Sequence, residues 1–270
     1  MSATAGATVR AAPRRAVSIR GRRLLPILTG LVFIAIWEVG VKLRLPAFVA
    51  RPSTILEAAP SVVTTTQFWS DLVSTGGALI EGVALGSVAG ALLGLLMGRV
   101  REVNWFFTPY IRGLYSLPLI ALIPVLVLVV GYTDTTRMVV IVLSAFLPVA
   151  VTTADGARAI PKEFLEVGRT FGARAHQVWF GIALPASLPH ILAGVDIGFG
   201  RAFTSAVAVE ILASIPGLGY SLYAESQSLH DAESFVNVVA LAIFAILLRL
   251  VVRSSSRRLA PWYRPVGSED

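Results

Sequence analysis

Cysteine does not occur in these 270 residues, so disulfide frameworks and thiolate metal sites are excluded from the start. Lysine is almost as scarce, with only Lys42 and Lys162. They follow Val41 and Pro161, so no Gly-Lys-Ser/Thr loop exists to hold nucleotide phosphates. The three histidines, His176, His190 and His230, are followed by Gln177, Ile191 and Asp231. That excludes a His-Glu-x-x-His zinc site, and no Gly-x-Ser-x-Gly elbow supplies a serine nucleophile. Charge itself is thin: 14% of residues are charged against 55% hydrophobic, with a mean hydropathy of +0.75. A soluble domain does not have this composition.

Long apolar runs supply what the charges do not. Roughly 17–25 apolar residues cross a bilayer core, and six such spans are expected: Leu24–Val41, Ala78–Met97, Leu114–Val130, Met138–Ala154, Ile191–Ala213 and Phe235–Val252. The first lacks a following small-residue cleavage site and reads as retained rather than removed as a signal peptide. The fold class is therefore an all-α polytopic helix bundle. It divides into a basic tail (1–23), a membrane domain (24–252) and a second tail (253–270).

The net charge of +7 is distributed by topology and not as a nucleic-acid patch. Eighteen of the 23 Lys and Arg residues fall at alternate span ends, in both tails and in the connections after the second and fourth spans. Lys42, Arg44, Arg51 and Arg137 lie on the other side, and Arg201 lies within a span. Positive charge favours the cytoplasmic side, so both termini and the fourth-to-fifth connection are expected inside.

Glycine and proline punctuate the spans. Gly82, Gly86, Gly90, Gly94 and Gly98 recur every fourth residue, a helix-packing surface that winds about 40° per step. Packing within one subunit is the expected use, with a subunit contact as the alternative. Pro118, Pro124 and Pro148 are expected to break the third and fourth spans, as helices beside a water-filled path can tolerate. Three ionisable residues of the fifth span, Asp196, Arg201 and Glu210, are candidates for the path. Asp196 and Glu210 project about 40° apart, with Arg201 on the other side. An ion pair of Arg201 with Glu81 is the structural alternative. Glu38 and the histidines read as satisfied polar or interfacial groups.

The loop 160–185 carries the densest signal. Pro161 opens a short helix, Glu163 and Glu166 favour its positive end, and Gly172 stops it. Phe164, Val167 and Phe171 make an apolar stripe, rimmed by Lys162, Glu166, Arg169 and Arg174. Such a helix suits a partner's groove better than a lipid surface, which would favour a uniformly basic polar face.

From Glu166 to Pro185 the residues follow Glu-x5-Gly-x9-Ile-x-Leu-Pro, with Gly172, Ile182, Leu184 and Pro185 at the fixed places. On this frame the chain resembles the inner-membrane permeases of type I binding-protein-dependent ABC importers. Within them it is similar to the sulfonate, taurine and nitrate branch, through Leu45-Pro46-Ala47-Phe48 with Arg51-Pro52-Ser53, Leu117-Pro118 to Pro124 with Gly131, Gly217-Leu218-Gly219-Tyr220, and Arg258-Leu259-Ala260-Pro261-Trp262. One departure is Val167-Gly168, where the family has Ala-Ala.

The resemblance implies a multi-pass permease of the bacterial inner membrane that works with a second permease subunit, expected to be an identical copy. Two cytoplasmic ATPases and an extracytoplasmic binding protein would complete the complex. ATP and Mg²⁺ would be held by the ATPases, with no cofactor on this chain. Docking would fall to Glu163, Glu166, Val167, Gly168, Arg169, Phe171, Gly172, Ala173, Ile182, Leu184 and Pro185. The cargo implied is a small anion. A neutral or heterocyclic nutrient and, further off, a secondary transporter are the alternatives; the latter would show an inverted repeat, and no second loop or glycine ladder is seen.

Overall fold

The computed structural model describes residues 19–43 and 49–260. The tail before residue 19, the Leu45–Phe48 segment, Trp262 and Arg264 lie outside the described residues. Those described are almost all helical, with no strand among them. In chain order the helices are α1 (Ile19–Leu43), α2 (Pro52–Val63), α3 (Thr66–Arg99), α4 (Arg101–Ser116), α5 (Leu119–Val130), α6 (Asp134–Arg158), α7 (Lys162–Thr170), α8 (Ala175–Val178), a π-helical turn (Trp179–Ala183), α9 (Leu184–Leu212), α10 (Leu218–Gln227) and α11 (Asp231–Leu259). The chain divides into two units, between Thr54 and Ile55.

In the first unit α1 exposes Leu28, Leu31, Phe33 and Ile36, the surface a helix presents to lipid. Glu38 accepts from the Ser53 backbone N–H at 3.0 Å and its hydroxyl at 2.8 Å. That satisfies a free donor in the first turn of α2.

The second unit is built on α6, which lies between α3 and α9. The glycine ladder explains the first contact. A Cβ on Gly86, Gly90 or Gly94 would lie 2.5–2.6 Å from the carbonyl oxygens of Val142, Phe146 and Ala150 in turn. Only glycine lets the two backbones approach so closely. At the ends of the ladder Gly82 and Gly98 leave room for Ile141 and Ala157. The ladder thus packs within one subunit. A second set repeats it from the other side, where Gly194 and Gly198 of α9 admit Val149 and Ala145 of α6. Leu79, Val83, Ile141, Ala145, Phe199 and Ala202 fill the core between them.

Among the described residues five helices are long and apolar enough to cross a membrane, or six when α4 and α5 count as one broken span. The expected six is reached only with that pair counted as one, and the boundaries change. α3 and α11 extend well beyond the runs 78–97 and 235–252, and α9 with α8 and the π turn runs unbroken from Ala175 to Leu212. The segment 114–130 is not one helix: α4 ends at Ser116, and α5 leaves it at 102°. Pro118 supplies the break by removing a backbone donor after Leu117. At 12 residues, α5 is about 18 Å long, short of the roughly 30 Å core. Pro124 and Pro148 do not break their helices as expected. α6 stays continuous at Pro148 because α3 and α9 hold it on two sides.

Besides the loop helices α7 and α8, α2 and α10 lie wholly outside the six expected spans, and α4 overlaps the expected 114–130 only at its last three residues. Ser214, at a positive φ of 50°, ends α9, and the Ile215 N–H donates to the Glu210 carbonyl at 3.2 Å. This six-to-one closure usually takes glycine.

Candidate functional site

The short helix of the 160–185 loop forms close to where its sequence places it. α7 begins at Lys162, leaving Pro161 just outside rather than inside as expected. It ends where Gly172 takes φ +73°, a conformation that glycine enters without strain. The Ala173 N–H then donates to the Gly168 carbonyl at 3.0 Å, closing the helix end. Beyond it, Arg174 donates its N–H to the Gln177 side chain at 2.8 Å and opens α8.

The fixed residues at the far end of the frame have a structural reason. Pro185 lacks the N–H that the Gly181 carbonyl would take in an α-helix. The chain widens there into a π turn, and the Leu184 N–H donates to the Trp179 carbonyl five residues back. Ile182 then points at α7. A Cβ on Gly168 would come within 2.8 Å of the Ile182 Cδ1, so the Val167-Gly168 departure gives this side chain its room. Ile160, Val178 and Ala183 are buried beside Ala173 and Ile182. The loop therefore has its own small apolar core, continuous with α9.

Its outward face is different. Phe164, Val167 and Phe171 stand 62%, 54% and 86% exposed. Glu163 and Glu166 are exposed among them; the Lys162 and Arg169 side chains lie outside what is described. An apolar stripe this open on so short a helix has no partner within the described chain. Beneath α7 a cavity of about 410 Å³ opens between Ile160, Phe164, Ile182, Pro185 and His190. The His190 ring lies against Gly156 of α6, where a Cβ would collide with it.

The three ionisable residues of α9 go to three separate places. Glu210 is wholly buried. It accepts from Thr75 at 2.9 Å, from Arg137 at 3.2 Å and from the Gly219 N–H at 2.9 Å. Its expected place on the path is corrected: no surface of Glu210 reaches a passage, because α3, α6 and the turn into α10 enclose it. Arg137 also donates to the Pro216 carbonyl at 3.0 Å and pairs with Asp134 at 2.6 Å. A Cβ on Gly217 would collide with the Glu210 carboxylate, which explains the Gly217-Leu218-Gly219 turn. Asp196 pairs with Arg249 of α11 at 3.0 and 3.1 Å.

Arg201 does not pair with Glu81, the expected structural alternative. Its guanidinium lies 4.1 Å from the Tyr115 ring centroid, and one N–H reaches the Tyr115 carbonyl at 3.5 Å. The break between α4 and α5 puts that aromatic ring within its reach. Sequence reading assigned no role to Arg137, Thr75, Tyr115, Asp71 or Asn237. The last two close the α10 end, where Asp71 accepts from Ser221 and Asn237 donates to Glu225 at 2.6 Å. These partners come from helices distant in sequence and become legible only once α3, α6 and α9 are aligned.

Residues 82–265 match the model of the family described as binding-protein-dependent transport system inner membrane component. The chain is 29% identical to the taurine transport system permease protein TauC of Escherichia coli K12 over 250 residues, covering 90% of each chain. It is also 29% identical to the formylaminopyrimidine transport permease protein ThiX of Halalkalibacterium halodurans, over 88% of this chain and 96% of that one. Among solved structures, the MetNI methionine ABC transporter in an inward-facing conformation superposes with a TM-score of 0.60 at 19% identity, covering 72% of this chain and 97% of that one. This last likeness is one of fold.

Proposed function

The chain belongs to the family of binding-protein-dependent transport system inner membrane components, and from that premise we propose that two copies of it form the passage of an importer for a small anion, driven through the 160–185 loop. As an ABC importer permease it is a transport subunit and not an enzyme. Two cytoplasmic ATPases would dock at α7 and an extracytoplasmic binding protein at the opposite end, with both termini cytoplasmic.

The exposed stripe of α7 is the observation that carries this reading. Burying side chains such as Phe164, Val167 and Phe171 in a partner's groove is worth about 1.5–3 kcal/mol each. The rigid connection of the loop to α9 through the π turn gives a route from that groove into the membrane. ATP and Mg²⁺ would bind on the ATPases, since this chain has no phosphate-binding Gly-Lys-Ser/Thr. Differential contact of α7 with closed and open ATPases would bias the passage between outward- and inward-facing states.

Likeness to a taurine permease over most of both chains, together with a cation inside the fifth span, supports an anionic cargo such as a sulfonate. The equally similar formylaminopyrimidine permease defines the competing case of a neutral heterocycle. Native mass spectrometry of the cognate binding protein, followed by uptake of the identified compound into proteoliposomes of the whole complex, decides between them. An oxyanion taken up only with ATP is the expected result. A neutral heterocycle would overturn the anion assignment, and uptake without ATP would overturn the importer itself.

A further inference from the structure

One stripe of α9 is exposed from Ala186 to Thr204. Ala186, His190, Ala193, Ile197, Arg201 and Thr204 follow at steps of three and four, and each is exposed. Its composition sets it apart from the outward faces of the neighbouring spans. α11 exposes Ile243, Ile246, Leu247, Leu250 and Val251, as hydrocarbon requires. On α9 the corresponding face is small or polar, with Ile197 its one large aliphatic side chain. An arginine on a lipid-facing stripe at this depth would be costly, and such groups face a bundle interior or a water-filled cavity instead.

Arg201 lies eleven residues before the end of α9, about 17 Å and so near the middle of the membrane. Two other arginines in the long helices have carboxylate partners: Arg137 holds Glu210, and Arg249 holds Asp196. Arg201 has none among the described residues. One face rests on the Tyr115 ring, and an arginine stacked this way keeps its N–H edges available for an oxyanion. A further eleven residues toward the coupling loop, on the same stripe, His190 borders the cavity beneath α7. We infer that this stripe is a wetted wall of the passage and that Arg201 is its oxyanion site, taking sulfonate-, carboxylate- or phosphate-type groups in transit, with Thr204 beside it and His190 the next polar group inward. The inference rests on the importer reading and adds the residues that would select charge within it.

Because the chain has no cysteine, the test needs no knowledge of the cargo. Single Ile197→Cys and Thr204→Cys variants of the assembled complex, in inverted membrane vesicles, are treated with sulfonatoethyl methanethiosulfonate and with its trimethylammonium counterpart. Both positions should react, with the anionic reagent at least about tenfold faster. One unit charge about 6 Å away speeds the anion about tenfold over a neutral reagent and slows the cation by the same factor at an effective dielectric near 40, so tenfold between the two is a lower bound. Adding Arg201→Lys should keep the preference, and Arg201→Gln should abolish it. Leu247→Cys, on the lipid-facing stripe of α11, should react with neither reagent.

Absence of labelling at 197 and 204 would show the stripe covered by protein or lipid and overturn the inference. So would equal rates for the two reagents with Arg201 in place, or a preference that survives Arg201→Gln. If the preference arises only on Glu81→Gln, a second copy's carboxylate neutralises Arg201, and the inference also fails. ATP-driven uptake by the parental complex, measured alongside, keeps any of these outcomes separate from failure of the importer reading.

Discussion

Replacing Glu210 is the most direct perturbation of what holds the adjoining ends of α3, α6 and α9 together. The carboxylate is fully buried, and three donors converge on it, from Thr75, Arg137 and the Gly219 backbone. Glu210→Ala strands all three and leaves Arg137 with Asp134 as its one remaining carboxylate, on the exposed side of the network. Removing one partner of a buried ion pair costs about 3–5 kcal/mol. For a chain of this size about 2–4 °C of melting temperature accompanies each kcal/mol, so a loss on the order of 10 °C is expected. Tryptophan fluorescence during thermal unfolding of the detergent-solubilised complex measures it. The double variant Arg137→Met with Glu210→Leu should recover much of the loss, since no buried charge is then stranded. A Glu210→Ala protein melting within about 2 °C of the parental one would refute the reasoning, because the buried network would then be contributing nothing measurable.

Three further outcomes follow from the same packing. Gly90→Ala places a Cβ 2.6 Å from the Phe146 carbonyl and 3.1 Å from the Ala150 nitrogen; backbone cannot give way, so a loss of about 1–3 kcal/mol should appear in the melting curve, whereas Gly77→Ala on the same helix meets open space and should be neutral or stabilising by up to about 1 kcal/mol. Single cysteines at Thr170 and Ser255 should be protected from an impermeant thiol reagent in intact cells, while Thr133→Cys and Ser228→Cys should react; labelling of Thr170→Cys from outside would put the loop in the wrong compartment. Burial holds the Glu225 carboxyl above its ordinary value despite its bond from Asn237, so its contribution to stability is present below the unfolded carboxyl value and is lost as pH rises through the raised one; Glu225→Gln should flatten that part of the melting-versus-pH curve, and an unchanged curve would remove Glu225 as its source.

The parts legible in the sequence were those written in short-range pattern. Apolar length gave the spans, since any helix that crosses hydrocarbon must satisfy the same length, and the five-glycine period gave the face on which α3 meets α6. Gly172 marked a helix end because a positive φ suits glycine better than any other residue. What stayed hidden depends on neighbours. Three prolines look alike in sequence, yet Pro118 breaks its span, while Pro124 and Pro148 stay within continuous helices. Of the three charges on α9, Glu210 and Asp196 found partners on α6 and α11 that no local spacing announces. Arg201 found an aromatic ring, brought close by the break at Pro118, and not the Glu81 carboxylate of the structural alternative. In the loop the fixed frame was visible, but the π turn that Pro185 requires was not.

The central claim is that the 160–185 loop transmits ATPase motion into the membrane, and the loop variants Phe171→Asp and Gly172→Leu test it. The first puts a charge on the most exposed part of the apolar stripe, and the second puts a side chain where φ is +73°. In proteoliposomes containing both permease subunits, both ATPases and saturating binding protein, ATP hydrolysis and cargo uptake are measured together. The account predicts uptake below about a tenth of the parental rate for each variant, through poor assembly with the ATPases or through hydrolysis no longer stimulated by the binding protein. Parental uptake and parental stimulation in both variants would contradict it.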